Sequence, residues 1–263
     1  MTDTRPGKDQ PTGVPSDTYS REYFLTECDG HEEFEQGRLP ARLQAALSIV
    51  GDLQGKRVLD VGCGRGEVVL YCLRQGAEAC GVDYSADALQ LARQGAGTEP
   101  GHYQRADARY LPFRNESFDL ALMLDIVEHL YPAELAAALV DVRRVLKPGG
   151  TLIVHTMPNL WYYRWGYPLF RGVQRLRGKH LPQDPRARWQ FVSTVHVNEQ
   201  TPLTLHRALK EAGFAARVWL QPTQSYSQER SPLVRGVMRF LATAYPFRWV
   251  FCDDIFALAS KAK

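Results

Sequence analysis

A glycine-rich stretch between an apolar run and an amphipathic run is the first feature of this sequence that could do chemistry. It reads V-L-D-V-G-C-G-R-G from Val58 to Gly66, so an apolar segment passes directly into three closely spaced glycines. Glycines are needed where a backbone turns tightly and where a ligand approaches it without a Cβ in the way. The residues that flank such a loop indicate which ligand it suits.

Acidic residues flank this loop. Asp60 lies two residues before Gly62, and Glu67 follows Gly66 directly. A dinucleotide loop has the spacing G-x-G-x-x-G and must hold a pyrophosphate, whereas this loop has G-x-G-x-G and lacks the Gly-Lys-Ser/Thr of a P-loop. Carboxylates around the loop disfavour phosphates and favour a cationic ligand that carries an ammonium and a sulfonium group.

Two further aspartates follow later apolar runs. Asp83 ends the run before Tyr84, and Asp107 precedes Ala108. A carboxylate at the end of a second strand can accept hydrogen bonds from a ribose diol. We expect Asp107, beside the backbone of Ala108, to accept one from an exocyclic adenine amine. Because the carboxyl ends of parallel strands share one edge of the sheet, both residues should meet Asp60 there.

The elements that must position these residues alternate between short apolar runs and amphipathic runs. This alternation predicts strands joined by crossover helices, and therefore a parallel sheet covered on both faces. The predicted strands are 57–61, 77–82, 102–106, 118–124, 151–155, 215–220 and 254–260. The predicted helices are 67–75, 86–94, 132–146, 202–212 and 233–244, preceded by two helical patterns within 19–53. Pro148 and the two glycines after it are expected to end the helix before them.

Several motifs in succession resemble those of class I S-adenosylmethionine-dependent methyltransferases, over roughly residues 57–159. They are V-L-D-V-G-C-G-R-G from Val58, G-V-D-Y-S from Gly81, R-A-D-A-R-Y-L-P-F-R-N-E-S-F-D-L from Arg105 and V-L-K-P-G-G from Val145. The segments I-V-E-H-L from Ile126 and H-T-M-P-N from His155 are similar to those of ubiquinone-biosynthesis-type and related small-molecule methyltransferases.

This resemblance implies an α/β, Rossmann-like, doubly wound fold with a seven-stranded, mostly parallel sheet and an antiparallel last strand. It implies that S-adenosyl-L-methionine (SAM) binds and leaves as S-adenosylhomocysteine (SAH). In that family the first aspartate and the glycines lie under the methionine part, the second aspartate binds ribose and the third binds adenine. The expected cofactor contacts are Asp60, Gly62, Cys63, Gly64, Gly66, Asp83, Tyr84, Asp107, Ala108, Asp125, Tyr19 and Tyr23.

His129 is the predicted catalytic residue. Methyl transfer needs positioning, and a base when the acceptor atom is a hydroxyl oxygen. An imidazole titrates near neutrality, and this position faces the methyl group in the methyltransferases that the chain resembles. His155 and His196 should lie near the opening of the pocket, where a structural role is the alternative to catalysis. Cys28 and His31 have no partner ligands nearby, so no metal is expected.

Two inserts interrupt the predicted domain. Residues 1–18 are predicted to be a disordered tail, and 19–263 a single methyltransferase domain with its core at 55–157 and 200–260. The inserts, about 158–199 and 221–252, are rich in aromatic residues and arginine. They could be lids over an apolar pocket, a membrane-surface patch or a nucleic-acid surface.

The overall composition does not require a nucleic-acid or acidic partner. The 263 residues are 44% hydrophobic with a net charge of only +3, and the five cysteines form no C-x-x-C pair. We expect a cytoplasmic protein, with peripheral membrane contact through the inserts, because no signal peptide or spanning run is evident. The predicted function is SAM-dependent methylation, at oxygen, of a small hydrophobic or lipid- or glycan-linked acceptor. The alternatives are an RNA or protein methyltransferase and a non-catalytic SAM-binding protein.

Overall fold

A seven-stranded sheet forms the centre of the molecule, in a computed structural model that describes residues 13–97, 101–188, 192–223 and 231–262. The strands are β1 (Arg57–Val61), β2 (Glu78–Asp83), β3 (His102–Arg105), β4 (Phe118–Leu124), β5 (Leu146–Thr156), β6 (Phe214–Leu220) and β7 (Ile255–Lys261). Their order is β3-β2-β1-β4-β5-β7-β6. β1 to β5 pair in parallel, and β7 runs antiparallel to both β5 and β6. The predicted sheet is confirmed.

Helices lie between the strands and in the two inserts. In the described ranges the α-helices are α1 (His31–Glu35), α2 (Ala41–Leu47), α3 (Glu67–Arg74), α4 (Ala86–Ala96), α5 (Pro132–Val145), α6 (Tyr167–Leu176), α7 (Val192–Val195), α8 (Pro202–Glu211), α9 (Pro232–Thr243) and α10 (Arg248–Phe251). Shorter turns are 3-10 (Ser16–Thr18, Val127–His129 and Pro185–Arg188) or π-helical (Tyr23–Glu27 and Tyr162–Gly166).

The two faces of the sheet bury two separate apolar clusters. Successive side chains of β4 point to opposite faces, as the geometry of a strand requires. Leu120 and Leu122 pack in the cluster that α2, α3 and α4 cover. Ala121 and Met123 pack in the cluster that α5 and α8 cover. Strands buried on both faces explain why these runs are continuously apolar in the sequence.

A third apolar cluster, formed by the chain before α1, lies over α4. It includes Val14, Tyr19, Tyr23 and Phe24, together with Leu91 and other α4 residues. The prediction that 1–18 forms a disordered tail is therefore wrong for 13–18, because the buried Val14 side chain anchors this stretch. Residues 1–12 lie outside the described residues.

β5 begins earlier than predicted. α5 ends at Val145, as the Pro-Gly-Gly breakers indicate, but the strand starts at Leu146 rather than Thr151. Leu146 already pairs with Phe118, and the register then shifts before Leu120. The register shift accommodates the Pro-Gly-Gly sequence, and the strand therefore continues through Pro148.

The inserts pack on each other. Asn159 is fully buried, and its side-chain nitrogen donates hydrogen bonds to the backbone oxygens of Trp249 and Cys252. The Trp161 ring lies 5.5 Å from the Trp249 ring. Of the helices within the described ranges, none is both long and apolar enough to cross a membrane.

Candidate active site

The glycine loop connects β1 to α3 in a tight turn. Gly62 and Cys63 both donate their backbone N–H to the oxygen of Val82, at 2.8 and 3.0 Å. Gly62, Gly64 and Gly66 all have positive φ, at 76°, 48° and 81°. L-residues with a side chain rarely adopt this region, so each glycine is needed for the turn itself.

The three glycines differ in what surrounds them. A Cβ on Gly62 would lie 2.6 Å from Ile126, and one on Gly66 would lie 2.8 Å from Ala92. A Cβ on Gly64 would meet only Phe24, at an ordinary 3.5 Å. Packing within the protein therefore requires Gly62 and Gly66, and only Gly64 leaves room for a ligand to approach the loop.

Asp83 lies at the carboxyl end of β2, beside the loop. Its two carboxylate oxygens accept backbone N–H bonds from Gly64 at 3.0 Å and from Ser85 at 2.9 Å. Burial raises the pKa of Asp83, although these backbone hydrogen bonds oppose the shift. The side chain is thus oriented toward the loop, as a ribose-binding carboxylate should be.

Asp60 is buried without a cationic partner among the described residues. Burial, together with repulsion from Glu67, Asp83 and Asp125, raises its pKa to about 8. Glu67 is occupied by Arg65, whose Nη2 lies 2.9 Å from Glu67 Oε1. Of the two acids predicted to flank the loop, only Asp60 therefore lacks a cationic partner among the described residues. An excess of buried acid fits a cationic ligand such as SAM, because a cation would relieve the cost of burying the carboxylate.

Asp107 is already paired. Arg109 donates to it through Nη2 at 2.6 Å and through Nε at 3.0 Å, and also contacts Glu134. Partial burial would raise the pKa of Asp107, but the hydrogen bonds and charge of Arg109 hold it below its usual range. Ala108 is the next residue and packs against the core. An adenine amine would share Asp107 with Arg109.

Asp125 is the centre of a buried ionic network after β4. It adopts a φ of 58°, and Arg42 of α2 donates from Nε to Asp125 Oδ2 at 2.6 Å. His155 Nδ1 contacts the other Asp125 oxygen, and His155 Nε2 lies 3.2 Å from Asp254. Burial would lower the pKa of His155, but the two carboxylates raise it to about 10. His155 therefore lies between two carboxylates in a buried network, and its backbone oxygen accepts the N–H of Asp125.

The segment that contains Tyr19, Tyr23 and Phe24, here called the cover, packs over α4 beside the glycine loop. Tyr19 and Tyr23 are both buried, and their rings pack edge to face at 5.3 Å. Tyr84 packs against Tyr19 at 5.5 Å, and its hydroxyl donates to the oxygen of Val14. Arg65 fixes this segment to the glycine loop, since its Nη1 donates to the oxygen of Phe24 at 2.8 Å.

His129 lies beneath this cover. Its Nδ1 is 3.0 Å from the Tyr19 hydroxyl and 3.2 Å from the backbone oxygen of Val195. No hydrogen bond to Nε2 is found within the described ranges. The His196 ring lies 5.0 Å away and nearly perpendicular. Burial, and then the proximity of His196, lowers the pKa of His129 to about 3, so the imidazole is neutral and a weak base.

The structure also brings forward residues that the sequence analysis missed. Arg42 and Arg65 are buried cations that hold Asp125 and the cover in place. Glu128 is buried beside His129, and Thr156 donates to its Oε2 at 2.7 Å. Burial, with repulsion from Asp125, raises the pKa of Glu128 to about 8. The sequence could have indicated Glu128, because it directly precedes His129. A single arginine in an amphipathic helix, such as Arg42, gives no indication of a site.

Comparison with known proteins identifies a conserved domain within this fold. Residues 59–154 match the family described as methyltransferase domain. The chain is 33% identical over 145 residues to a fatty-acid O-methyltransferase of Mycolicibacterium smegmatis, covering 54% of this chain and 47% of that protein. It is 36% identical over 121 residues to a ubiquinone biosynthesis O-methyltransferase of Alkalilimnicola ehrlichii, covering 45% and 48%. The chain thus spans about half the length of these curated relatives.

Solved structures resemble the fold over most of the chain. A SAM-dependent methyltransferase from Mesorhizobium loti superposes with a TM-score of 0.60 at 20% identity, covering 84% of this chain and 98% of that one. A methyltransferase solved with the Haloferax volcanii Trm112 activator gives 0.62 at 17% identity, covering 92% and 97%. At these identities the likeness concerns the fold.

Proposed function

Since residues 59–154 match a methyltransferase domain, we propose that the chain is a class I SAM-dependent methyltransferase that transfers the methyl group of SAM to a hydroxyl oxygen of a small, apolar acceptor. The observation that supports this proposal is the contact between Tyr19 of the cover and His129 beneath it. The Tyr19 hydroxyl contacts Nδ1 of a neutral imidazole at 3.0 Å, which leaves Nε2 available to an acceptor. The relatives named O-methyltransferases support oxygen as the acceptor atom.

The binding roles follow from the site's geometry. Asp60 would face the cationic methionine end, and Asp83 the ribose; Tyr19 and Tyr23 would exclude water from above. When bound, SAM supplies an activated methyl group and leaves as SAH. In such a transfer the acceptor's O–C bond would form as the S–C bond broke, with the electron pair left on sulfur. The hydroxyl proton would leave to solvent, and the neutral His129 would orient the hydroxyl group. Holding the oxygen in line with the methyl group is the chain's main contribution.

An apolar acceptor is supported by the first insert, which continues from the site. The backbone N–H of Leu160 donates to the oxygen of Gln200, close to His196. Tyr163 is partly buried there, with the Arg186 guanidinium 5.5 Å from its ring centroid. Aromatic walls suit bulky apolar ligands. That one relative is named a fatty-acid O-methyltransferase agrees with this class.

We further propose that the inserts contact a membrane containing anionic lipid. One face of the first insert and one face of α9 expose apolar side chains, here called the apolar insert face: Trp165, Leu169, Val173, Leu176, Leu233, Val237 and Phe240. Ala242 is the only buried residue of α9. Neither α6 nor α9 contains an acid, and both carry arginines. Such a surface is typical of helices that lie in the lipid interface.

A cationic cavity beside α6 supports the choice of anionic lipid. It has a volume of about 220 Å³ and is lined by residues that include Arg171, Arg175 and Lys179. Clustered cations near an apolar face bind anionic headgroups. Access to a lipid-dissolved acceptor would then follow from docking at the same surface.

Turnover of matched acceptors tests the proposed reaction. SAH release is measured with a long-chain alcohol or phenol and with the amine of the same carbon skeleton. We expect SAH with the hydroxylated compound, and roughly a hundredfold lower kcat for His129→Ala, because the acceptor's hydroxyl group loses the side chain that positions it. The matched control is His206→Ala, because His206 is exposed on α8. Faster turnover of the amine, or SAM binding without turnover of any acceptor, would contradict the proposal.

A further inference from the structure

Three potential metal ligands converge at the reacting end of the site. Glu128 and His129 lie in the turn after β4, and His196 follows α7 in the first insert. One ligand atom from each side chain lies within 4.8 Å of the other two. His196 is distant in sequence from Glu128 and His129, and the sequence analysis expected no metal.

We propose that Glu128, His129 and His196 bind a divalent transition-metal ion of the Zn²⁺ or Co²⁺ class, which holds the acceptor's hydroxyl group. The inference rests on the proposed function, because it assigns the ion a role toward the same acceptor. Two imidazoles and one carboxylate match the protein ligands of catalytic zinc sites, which keep one position open for water or substrate. The nitrogen ligands favour such ions over magnesium.

Two of the ligands are oriented by neighbouring groups. A neutral His129 that donates from Nδ1 to the oxygen of Val195, at 3.2 Å, leaves the lone pair on Nε2 available. Metal-binding histidines commonly make this second hydrogen bond, which fixes the tautomer and the ring orientation. Thr156 similarly fixes Oε2 of Glu128 at 2.7 Å and leaves Oε1 available.

Backbone hydrogen bonds bring the third ligand beside the other two. The oxygen of Glu128 accepts N–H bonds from Val197 at 2.9 Å and from Asn198 at 3.1 Å. His196 immediately precedes this pair, so its ring is held next to His129. The segment after α7 is therefore fastened to the turn after β4 rather than packed there by apolar contact alone.

Unpartnered polar atoms in this segment point to a ligand. His196 Nδ1 and Asn198 Nδ2 are both buried and have no hydrogen-bond partner among the residues that the structure describes. Buried polar atoms without a partner cost free energy, and in native structures they usually indicate a water, an ion or a ligand. A metal ion would satisfy a nitrogen of His196, and an acceptor oxygen would satisfy the amide of Asn198.

The separation of the ligand atoms is compatible with binding after small side-chain rotations. Ligand atoms around a tetrahedral zinc ion are about 3.4 Å apart, given Zn–N distances of about 2.1 Å. The three ligand atoms lie within 4.8 Å of one another here, a limit that exceeds the zinc separation by about 1.4 Å. An ion here would polarise the acceptor's hydroxyl group and lower its pKa, so that the proton is lost to solvent before methyl transfer.

Cobalt titration of the full, untagged chain tests this site. Chelator-treated protein is titrated with Co²⁺ and followed by visible absorption, and with Zn²⁺ by calorimetry. We expect one ion per chain for the wild type and for His206→Ala. The ion should bind at least about tenfold more weakly to His196→Ala and to Glu128→Gln, since each removes a ligand. Glu128→Gln keeps an acceptor for Thr156, and SAH binding by calorimetry reports that each variant is folded.

The outcomes separate this inference from the proposed function. A wild type that binds no Co²⁺, or variants that bind it as tightly as the wild type, would overturn the metal site. Methylation of a hydroxylated acceptor that persists in chelator would also overturn it, while supporting the proposed function. Loss of Co²⁺ binding in both folded variants supports the site, even where no acceptor tested is methylated.

Discussion

Negative charge accumulates at the edge of the sheet where the glycine loop lies. Arg65 compensates Glu67, and Arg42 compensates Asp125. Asp60 is left without a cation within the described ranges, and the pKa of its carboxyl is raised to about 8. A folded protein tolerates such a group at a site where a cationic ligand binds, because the ligand supplies the missing charge.

At this scale Asp83 gives a direct test of cofactor binding. Asp83→Asn should weaken SAH binding about tenfold to a hundredfold, the effect of losing hydrogen bonds to a charged group worth roughly 1.5–3 kcal/mol. Calorimetry measures the dissociation constant. Asp52→Asn is the matched control, because Asp52 is exposed before β1. Equal affinity of Asp83→Asn and wild type would exclude ribose recognition by this carboxylate.

His155 should make stability depend on pH. Its pKa is raised from 6.5 to about 10 in the folded state. The stabilisation is therefore complete below about pH 6.5, where both states are protonated, and is lost as pH rises toward 10. His155→Gln should cost roughly 3–5 kcal/mol near pH 6, because it removes the cation that lies between the buried carboxylates of Asp125 and Asp254.

Urea unfolding at several pH values measures this difference. The gap in unfolding free energy between wild type and His155→Gln should shrink steadily from pH 6.5 to pH 10. His206→Gln, on the surface of α8, should show no such trend. A gap that stays constant across this range would show that His155 is neutral in the folded protein.

Among the elements, the glycine loop serves two separate purposes. Two of its glycines let β1 and α3 pack against Ile126 and Ala92, and the remaining one leaves space next to Phe24 of the cover. Arg65, within the same loop, holds that cover through the oxygen of Phe24. The loop therefore determines both the turn after β1 and the position of the cover.

Alanine substitutions should separate these purposes. Gly66→Ala would place a Cβ 2.8 Å from Ala92 at a φ of 81°, so it should destabilise the fold by about 1–3 kcal/mol. Gly64→Ala meets no close contact and should cost about 1–2 kcal/mol from backbone strain alone, while its methyl group intrudes between the loop and the cover. Urea unfolding and SAH calorimetry should show that Gly66→Ala mainly loses stability and Gly64→Ala mainly loses affinity. Equal losses of affinity in two equally stable variants would contradict this division.

At the scale of the whole molecule, the inserts form a surface with many exposed apolar side chains. The apolar insert face belongs to the segments that lie outside the core fold, and α10 connects its two helical parts through contacts with α9 and with Tyr162–Gly166. The site and this surface thus share the first insert. A membrane-dissolved acceptor would reach the site without crossing water.

Vesicle binding tests the surface. The chain should sediment with vesicles that contain phosphatidylglycerol, less with neutral vesicles, and less at high salt. Leu176→Gln and Leu233→Gln, at 90% and 78% exposed positions, should each weaken binding about tenfold, because burying a leucine contributes roughly 1.5–3 kcal/mol. Leu203→Gln, 60% exposed on α8, is the matched control. Equal sedimentation of all three variants would exclude this face.

Local patterning was enough to predict most of the fold. Strands buried on both faces need continuous apolar runs, and only glycine tolerates the loop's backbone, so β1 to β4 and the loop follow from neighbours in sequence. The position of Asp83 at the end of β2 follows in the same way. The start of β5 did not, because Leu146 is paired with Phe118 of another strand.

The sequence alone determined the sheet, the glycine loop and the acids placed around it, because each depends on residues that are close together in the chain. Only the tertiary structure decided which charges are compensated. Arg42 reaches Asp125 from α2, Arg109 occupies Asp107, and two aspartates charge His155. It also decided that His196 lies beside His129. These outcomes depend on distances between segments far apart in sequence, and electrostatic energy depends on those distances and on burial.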